Sequence, residues 1–261
     1  MENKFGKTSR LELCAGLKNE KTILKDVAFT APFKIMHPFH EKKNVMTVIG
    51  ISASAGIMEG DVQKQRIVIE DGASMEFTSQ SYEKIHKMKE GFAQRNVSIE
   101  VGSKSSLYYH PLPAIPFADS ALKNHVEVRL KDDTSVFVMK EILSCGRAAR
   151  GERFAYRFYH NHIKVMLGDE MIYLDNTRYE PSRCKMEGFG MYEGYSHMGS
   201  LLIFGKEITD EWLSVVREKL YGNLEGGVTR LRKNAAVVRV LGNRAEQQEK
   251  LLEELLAFLR P

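Results

Sequence analysis

The residues best equipped for chemistry in this chain fall into four short segments, each dense in Gly, Pro or paired polar side chains. In residues 52–61, Gly56 and Gly60 offer the backbone freedom of an anion cradle, but the Lys-Ser/Thr ending of a phosphate loop is missing. A turn that exposes or hydrogen-bonds Glu59 and Asp61 is the plainer reading. Residues 78–86 gather Thr78, Gln80 and His86 in one polar stretch. In residues 110–117, Pro111, Pro113 and Pro116 deny a strand its ladder hydrogen bonds and force an extended passage, suited either to recognition or to a crossover between sheets. Residues 145–152 combine Arg147, Arg150 and Glu152, with Glu141 on the strand before them. Such charges must pair if buried, as an internal salt-bridge network or as the lining of a polar passage that lets a divalent cation move without holding it tightly.

Two other constellations bear on function. Paired carboxylates, Glu59 with Asp61 or Glu141 with Glu152, have the composition that general acid/base hydrolysis needs, so a β-solenoid hydrolase is the alternative function. His160-x-His162 would present two imidazoles on one side of a strand, yet two ligands leave a metal site incomplete and no Cys, Asp or Glu follows before Asp169. His37 and His40, flanking Pro38, form a similar weak pair. No Gly-x-Ser-x-Gly elbow supports a nucleophilic triad.

The elements that must position these groups are mostly strands. Over residues 45–205, short β-branched and aromatic runs recur between Gly, Asp, Asn and Pro: 45–51, 66–69, 97–101, 126–130, 135–139, 154–159, 163–167, 171–174 and 201–204. Turn signals at Asp71-Gly72, Val101-Gly102 and Lys131-Asp132 precede Phe77, Leu107 and Phe137 at one offset, a 30-residue interval that fits stacked coils. Beyond residue 205 the period changes. Trp212, Val215, Val216 and Leu220 define a helix over 209–221 with Gly222 as its stop, and Leu251, Leu252, Leu255, Leu256 and Leu259 a second over 244–260, capped by Asn243 with Glu246 completing a capping box. Residues 222–227 read as a flexible joint. The expected architecture is one mainly β domain over 1–261, a helicoidal, solenoid-like stack of sheets over about 10–205 followed by a helical part with two C-terminal α-helices over about 206–261.

Composition narrows the function. The chain of 261 residues is 43% hydrophobic with a net charge of +4 spread along its length, which argues against a nucleic-acid-binding arm. Cys14, Cys145 and Cys184 are odd in number and far apart, so no disulfide scaffold is expected. A polar N-terminus and the lack of an 18-residue apolar run point to a soluble, cytoplasmic protein with no membrane partner.

In order and separation, Gly60-Asp61, Thr78 to Gln80, Ile115-Pro116-Phe117 and Gly146-Arg147 to Gly151-Glu152 resemble the motifs of the UreD/UreH family of urease accessory proteins, over residues 29–204. The likeness is closest to the UreH form of epsilonproteobacteria, through Ile57 to Asp61, Thr78 to His86 and Asp175-Asn176-Thr177. Where the family commonly carries further glycines this chain has Ser54-Ala55 and Glu59, which bears on loop shape. The resemblance implies a non-catalytic scaffold for urease maturation, in complex with UreF, the GTPase UreG and apo-urease. It also implies an internal tunnel for transient nickel, with no cofactor bound tightly. On that expectation Glu59, Asp61, Glu141 and Glu152 face the passage. Gly60, Gln80, Ile115, Pro116, Phe117, Arg147 and Arg150 serve the tunnel or partner recognition.

Overall fold

A computed structural model describes residue 6 and residues 8–42, 45–220 and 224–259. In chain order the strands are β1 (Thr8–Lys18), β2 (Lys21–Phe29), β3 (Phe33–Ile35), β4 (Phe39–Lys42), β5 (Val45–Ser52), β6 (Val62–Ile69), β7 (Ser74–Ser79), β8 (Glu83–Ile85) and β9 (Ala93–Val101). There follow β10 (Ser106–His110), β11 (Ala114–Pro116), β12 (Ala121–Leu130), β13 (Val136–Ser144), β14 (Phe158–Leu167), β15 (Glu170–Tyr179) and β16 (His197–Phe204). Helix α1 (Asp210–Lys219), the hairpin β17 (Glu225–Leu231) and β18 (Ala235–Gly242), and helix α2 (Ala245–Ala257) close the described chain.

From β5 to β14 the chain passes back and forth between two sheets. One has the order β15-β14-β12-β9-β6-β1-β2, the other β17-β18-β16-β13-β10-β7-β5-β3. Within each, successive coils lie in parallel: β6, β9, β12 and β14 in the first, β5, β7, β10 and β13 in the second. This connectivity is compatible with the expected helicoidal stack. Side chains alternate between the two faces of each strand, and inward apolar rows meet as a core that includes Ile67, Ile99, Val126 and Ile163 with Met75, Leu107 and Phe137. Antiparallel β1–β2 and β14–β15 flank the first stack, and β16–β18–β17 extend the second.

The other face of the second sheet is covered by both helices. Trp212, Leu213 and Val216 of α1 and Leu251, Leu252, Leu255 and Leu256 of α2 pack on Val138, Leu201, Ile203 and Val238. Trp212 also donates its indole N–H to the Leu255 carbonyl at 3.1 Å, tying the helices together.

Several expectations shift in register. Leu107 does lie opposite Phe137, but on the other side it faces Met75, while Phe77 faces Tyr109. One coil is two residues longer than the next, and because a slip of two keeps every side chain on its face, periodicity cannot detect it. Between the two expected helices lie β17 and β18, which were not expected, and Gly226, placed in a joint, lies inside β17: a Cβ there would meet the Arg239 carbonyl oxygen at 2.2 Å. Helix α1 starts as expected, with the Thr209 hydroxyl accepting the Trp212 N–H. Helix α2 does not: Arg244 occupies the cap without a side-chain bond, and Asn243 instead accepts the Ser196 N–H at 3.2 Å, pinning the end of β18 to β16. The stop assigned to Gly222 lies outside the described residues.

Candidate functional site

One inward register position is polar in every coil of the first sheet. Ser9, Gln63, Arg95, Asn124 and Asn161 lie side by side across β1, β6, β9, β12 and β14, followed by Thr177 of β15, and the first five are buried. Glu141, Ser200 and Arg239 form a matching row across β13, β16 and β18. Two polar rows facing each other cannot close into a dry core. Between them lies a cavity of about 40 Å³ lined by Asn124, Glu141, Asn161, Asp175, Ser200 and Arg239, and next to it another of about 100 Å³ reaches Ser52, Gly56, Gln80 and Tyr82. Glu83, Arg95, Tyr109, Pro111 and Leu112 line both, so the two run on from each other along the stack.

The lining is a chain of hydrogen bonds. Asn124 Nδ2 donates to Asn161 Oδ1 at 2.8 Å, and Asn161 Nδ2 donates to Glu141 Oε1 at 2.8 Å. Asn124 Oδ1 is buried with no partner. Arg95 donates through Nε to Gln63 Oε1 at 3.3 Å and through Nη2 to Glu83, and Arg239 pairs with Asp175. Burial pushes the Glu141 carboxyl up to about 7, helped by the nearby Asp175 charge and opposed by the Asn161 bond. Its remaining accessible surface opens on the cavity. For Arg95 burial works against the charge, but the Glu83 carboxylate overrides it and keeps the guanidinium protonated. Burial also raises the Tyr109 phenol to about 12. The cavity lining can therefore offer oxygen ligands and a carboxyl that changes charge near neutrality.

Above these cavities the four segments singled out in the sequence form a single structure. Ile57 bridges Ile85, and β8 pairs with β11, the strand of Ile115 and Pro116. Gly56, at φ 145°, lies so close to β8 that a Cβ would meet the Lys84 carbonyl oxygen at 2.3 Å, and Gly146, at φ 129°, would meet that of Glu152 at 2.7 Å. The Phe117 ring packs against the Arg147 guanidinium at 4.0 Å and the His86 ring at 4.8 Å. Arg147 in turn pairs with Glu152, which accepts the Ala118 N–H at 3.1 Å.

The profile of the family described as "UreD urease accessory protein" matches residues 7–261. The chain belongs to the UreD/UreH family of urease accessory proteins. It is 41% identical to the urease accessory protein UreD of Acetivibrio thermocellus, over 97% of each chain. With the urease accessory protein UreH of Helicobacter pylori strain P12 it shares 30% identity, over 98% of this chain and 96% of the relative, and with the UreD of Flavobacterium johnsoniae 29%, over 92% and 87%. The likeness thus extends to relatives carrying either name.

In this UreD-family chain the four acidic candidates part company. Glu141 lines the smaller cavity. Glu59 accepts the backbone N–H groups of Lys89, Glu90 and Gly91 at 2.9, 3.2 and 2.5 Å, which holds its carboxyl below the usual range. Arg157 grips the same turn from the other side through the Lys89 and Glu90 carbonyls. Asp61 accepts the Met58 N–H at 2.8 Å, beside Gly60 in its turn, and Glu152 is held by Arg147 and Ala118. Gln80 reaches the larger cavity, Arg150 lies exposed in the turn after β13, and Ile115, Pro116 and Phe117 belong to the motif cluster. Glu83, Arg95, Asn124, Asn161 and Asp175 were not expected at the site. The signal for the inward row was a polar residue at an inward, period-two position in each strand of the first sheet.

His160 and His162 do lie on one outward face, where His125 joins them opposite His162. His160 Nε2 is bonded to Asn176 Oδ1 at 2.7 Å, and among the described residues no three His, Cys, Asp or Glu side chains are arranged to hold a metal ion. His37 and His40 bond the Pro38 and Thr22 carbonyls. Among the described residues no helix is long and apolar enough to cross a membrane.

Proposed function

We propose that this protein is a non-catalytic scaffold of urease maturation that docks UreF, UreG and apo-urease and lets nickel pass through the cavities between its two sheets. The observation that carries this reading is the pair of facing polar rows, with Glu141 at their centre, in a protein of the urease accessory family. Two adjoining cavities lined by polar side chains suit transit, whereas a hydrolase would need two free carboxyls, and Glu59 and Asp61 both spend their oxygens on backbone amides. Nickel is cargo here: Glu141, Asn124 and Asn161 offer oxygen ligands too few to trap it. The cluster around Ile115, Pro116 and Phe117 is the docking surface in this reading, and GTP hydrolysis belongs to UreG.

Restoring this chain to a ureolytic strain that lacks its counterpart should recover nickel content and activity in urease, and UreF and UreG should copurify with it. Glu141→Gln should cut nickel loading of urease at least tenfold with complex formation intact, and wild-type loading by that variant would exclude the passage.

A further inference from the structure

Where the two cavities meet, the lining includes an ion pair. Arg95 lies where the two cavities meet, its side chain 8% exposed, paired with Glu83, whose side chain is 28% exposed. A divalent ion at this point is drawn by the Glu83 carboxylate and repelled by the guanidinium that occupies it, so it gains that carboxylate only by displacing Arg95. The wall opposite offers no relief, since Pro111 and Leu112 are part of a proline-stiffened segment. Elsewhere in the lining Asp175 answers Arg239, and Glu141 is bonded to the Asn161 amide.

We propose that Glu83 is an exchange site for a divalent cation: an ion arriving from the Gln80 side displaces the Arg95 guanidinium from the Glu83 carboxylate, and the pair thereby gates the route to Glu141. This rests on the passage reading and names its control point. Glu83 has the attributes of such a ligand. It is the more exposed partner, it borders both cavities, and it is carried by β8, a three-residue strand whose ladder partner β11 is equally short. Arg95 has the attributes of a gate. Its departure would leave as oxygen ligands the Glu83 carboxylate, the Gln63 amide oxygen that now accepts its Nε–H, and the Tyr109 hydroxyl of the shared lining.

The affinity of the passage for an ion is then reduced by the fraction of time that Glu83 is free of Arg95. Arg95→Met, which keeps the stem and removes the charge, should lower the nickel concentration for half-maximal urease activation by the assembled accessory complex roughly tenfold. Glu83→Gln should raise it by a similar factor. Crystals of the Arg95→Met chain soaked in Cd²⁺ should show an anomalous peak on the Glu83 carboxylate, lost in Arg95→Met/Glu83→Gln, a neutral pair that also guards against misfolding as a cause. No peak at Glu83 in a folded Arg95→Met chain overturns the proposal. So does unchanged nickel dependence in both single variants while Glu141→Gln still blocks loading, a result that leaves the passage standing. Loss of effect in Glu141→Gln as well, with the Cd²⁺ peak present, would instead sink the passage and leave a cation site at Glu83.

Discussion

Glu141 and Glu59 are both carboxylates on a β body, yet their surroundings send them in opposite directions. Burial raises Glu141 to about 7 from an ordinary 4.5, so between those values the folded chain holds a proton that the unfolded chain has released. Stability must therefore fall as pH rises through that window and level off above it, by on the order of 3 kcal/mol. Urea midpoints from pH 5 to 8 should show this slope in the wild type and a flatter one in Glu141→Gln; equal slopes would remove Glu141 as its source. Glu59 is held by three backbone amides. Its replacement by Ala should speed hydrogen exchange at Lys89, Glu90 and Gly91 by about tenfold or more while core strands keep their protection, because only a local clamp is lost.

Among the elements, the strands of the first sheet have two unlike halves. The later half of each, such as Val97 to Val101 or Val126 to Leu130, is apolar at every inward position, and these were legible as strands. The earlier half carries Gln63, Arg95, Asn124 or Asn161 inward, so the alternation of hydrophobic and polar residues fades where the strand in fact continues. One cause thus hid both the true strand starts and the site. The helices were legible because their stripes are continuous, and they bear weight: Leu252 is fully buried between α2 and the second sheet. Leu252→Ala should cost about 2–5 kcal/mol and Thr209→Ala about 1 kcal/mol, measurable by denaturant unfolding followed by circular dichroism. A Leu252→Ala loss below about 1 kcal/mol would mean that α2 docks loosely.

At the scale of the whole molecule, polar rows between the sheets are a cost that stability alone would not retain. Asn124 Oδ1 has no partner, and a buried acceptor in that state costs about 1–3 kcal/mol. The double substitution Asn124→Leu/Asn161→Leu should leave the thermal midpoint unchanged or higher while reducing nickel loading of urease at least tenfold. A marked loss of stability would assign the row to folding instead. The residues and their order along the chain sufficed for the β class, the two helices and the family resemblance, because these depend on local periodicity and on short motifs such as Ile115-Pro116-Phe117. They also singled out Glu141, though beside three carboxylates that the fold turns into staples for loops. Which carboxylate faces the interior, that Arg95 stands at the junction of two cavities, and that four distant segments share one surface were settled by the stacking of coils. Register between strands far apart in sequence is fixed by how whole rows of side chains pack, and no local pattern carries that information.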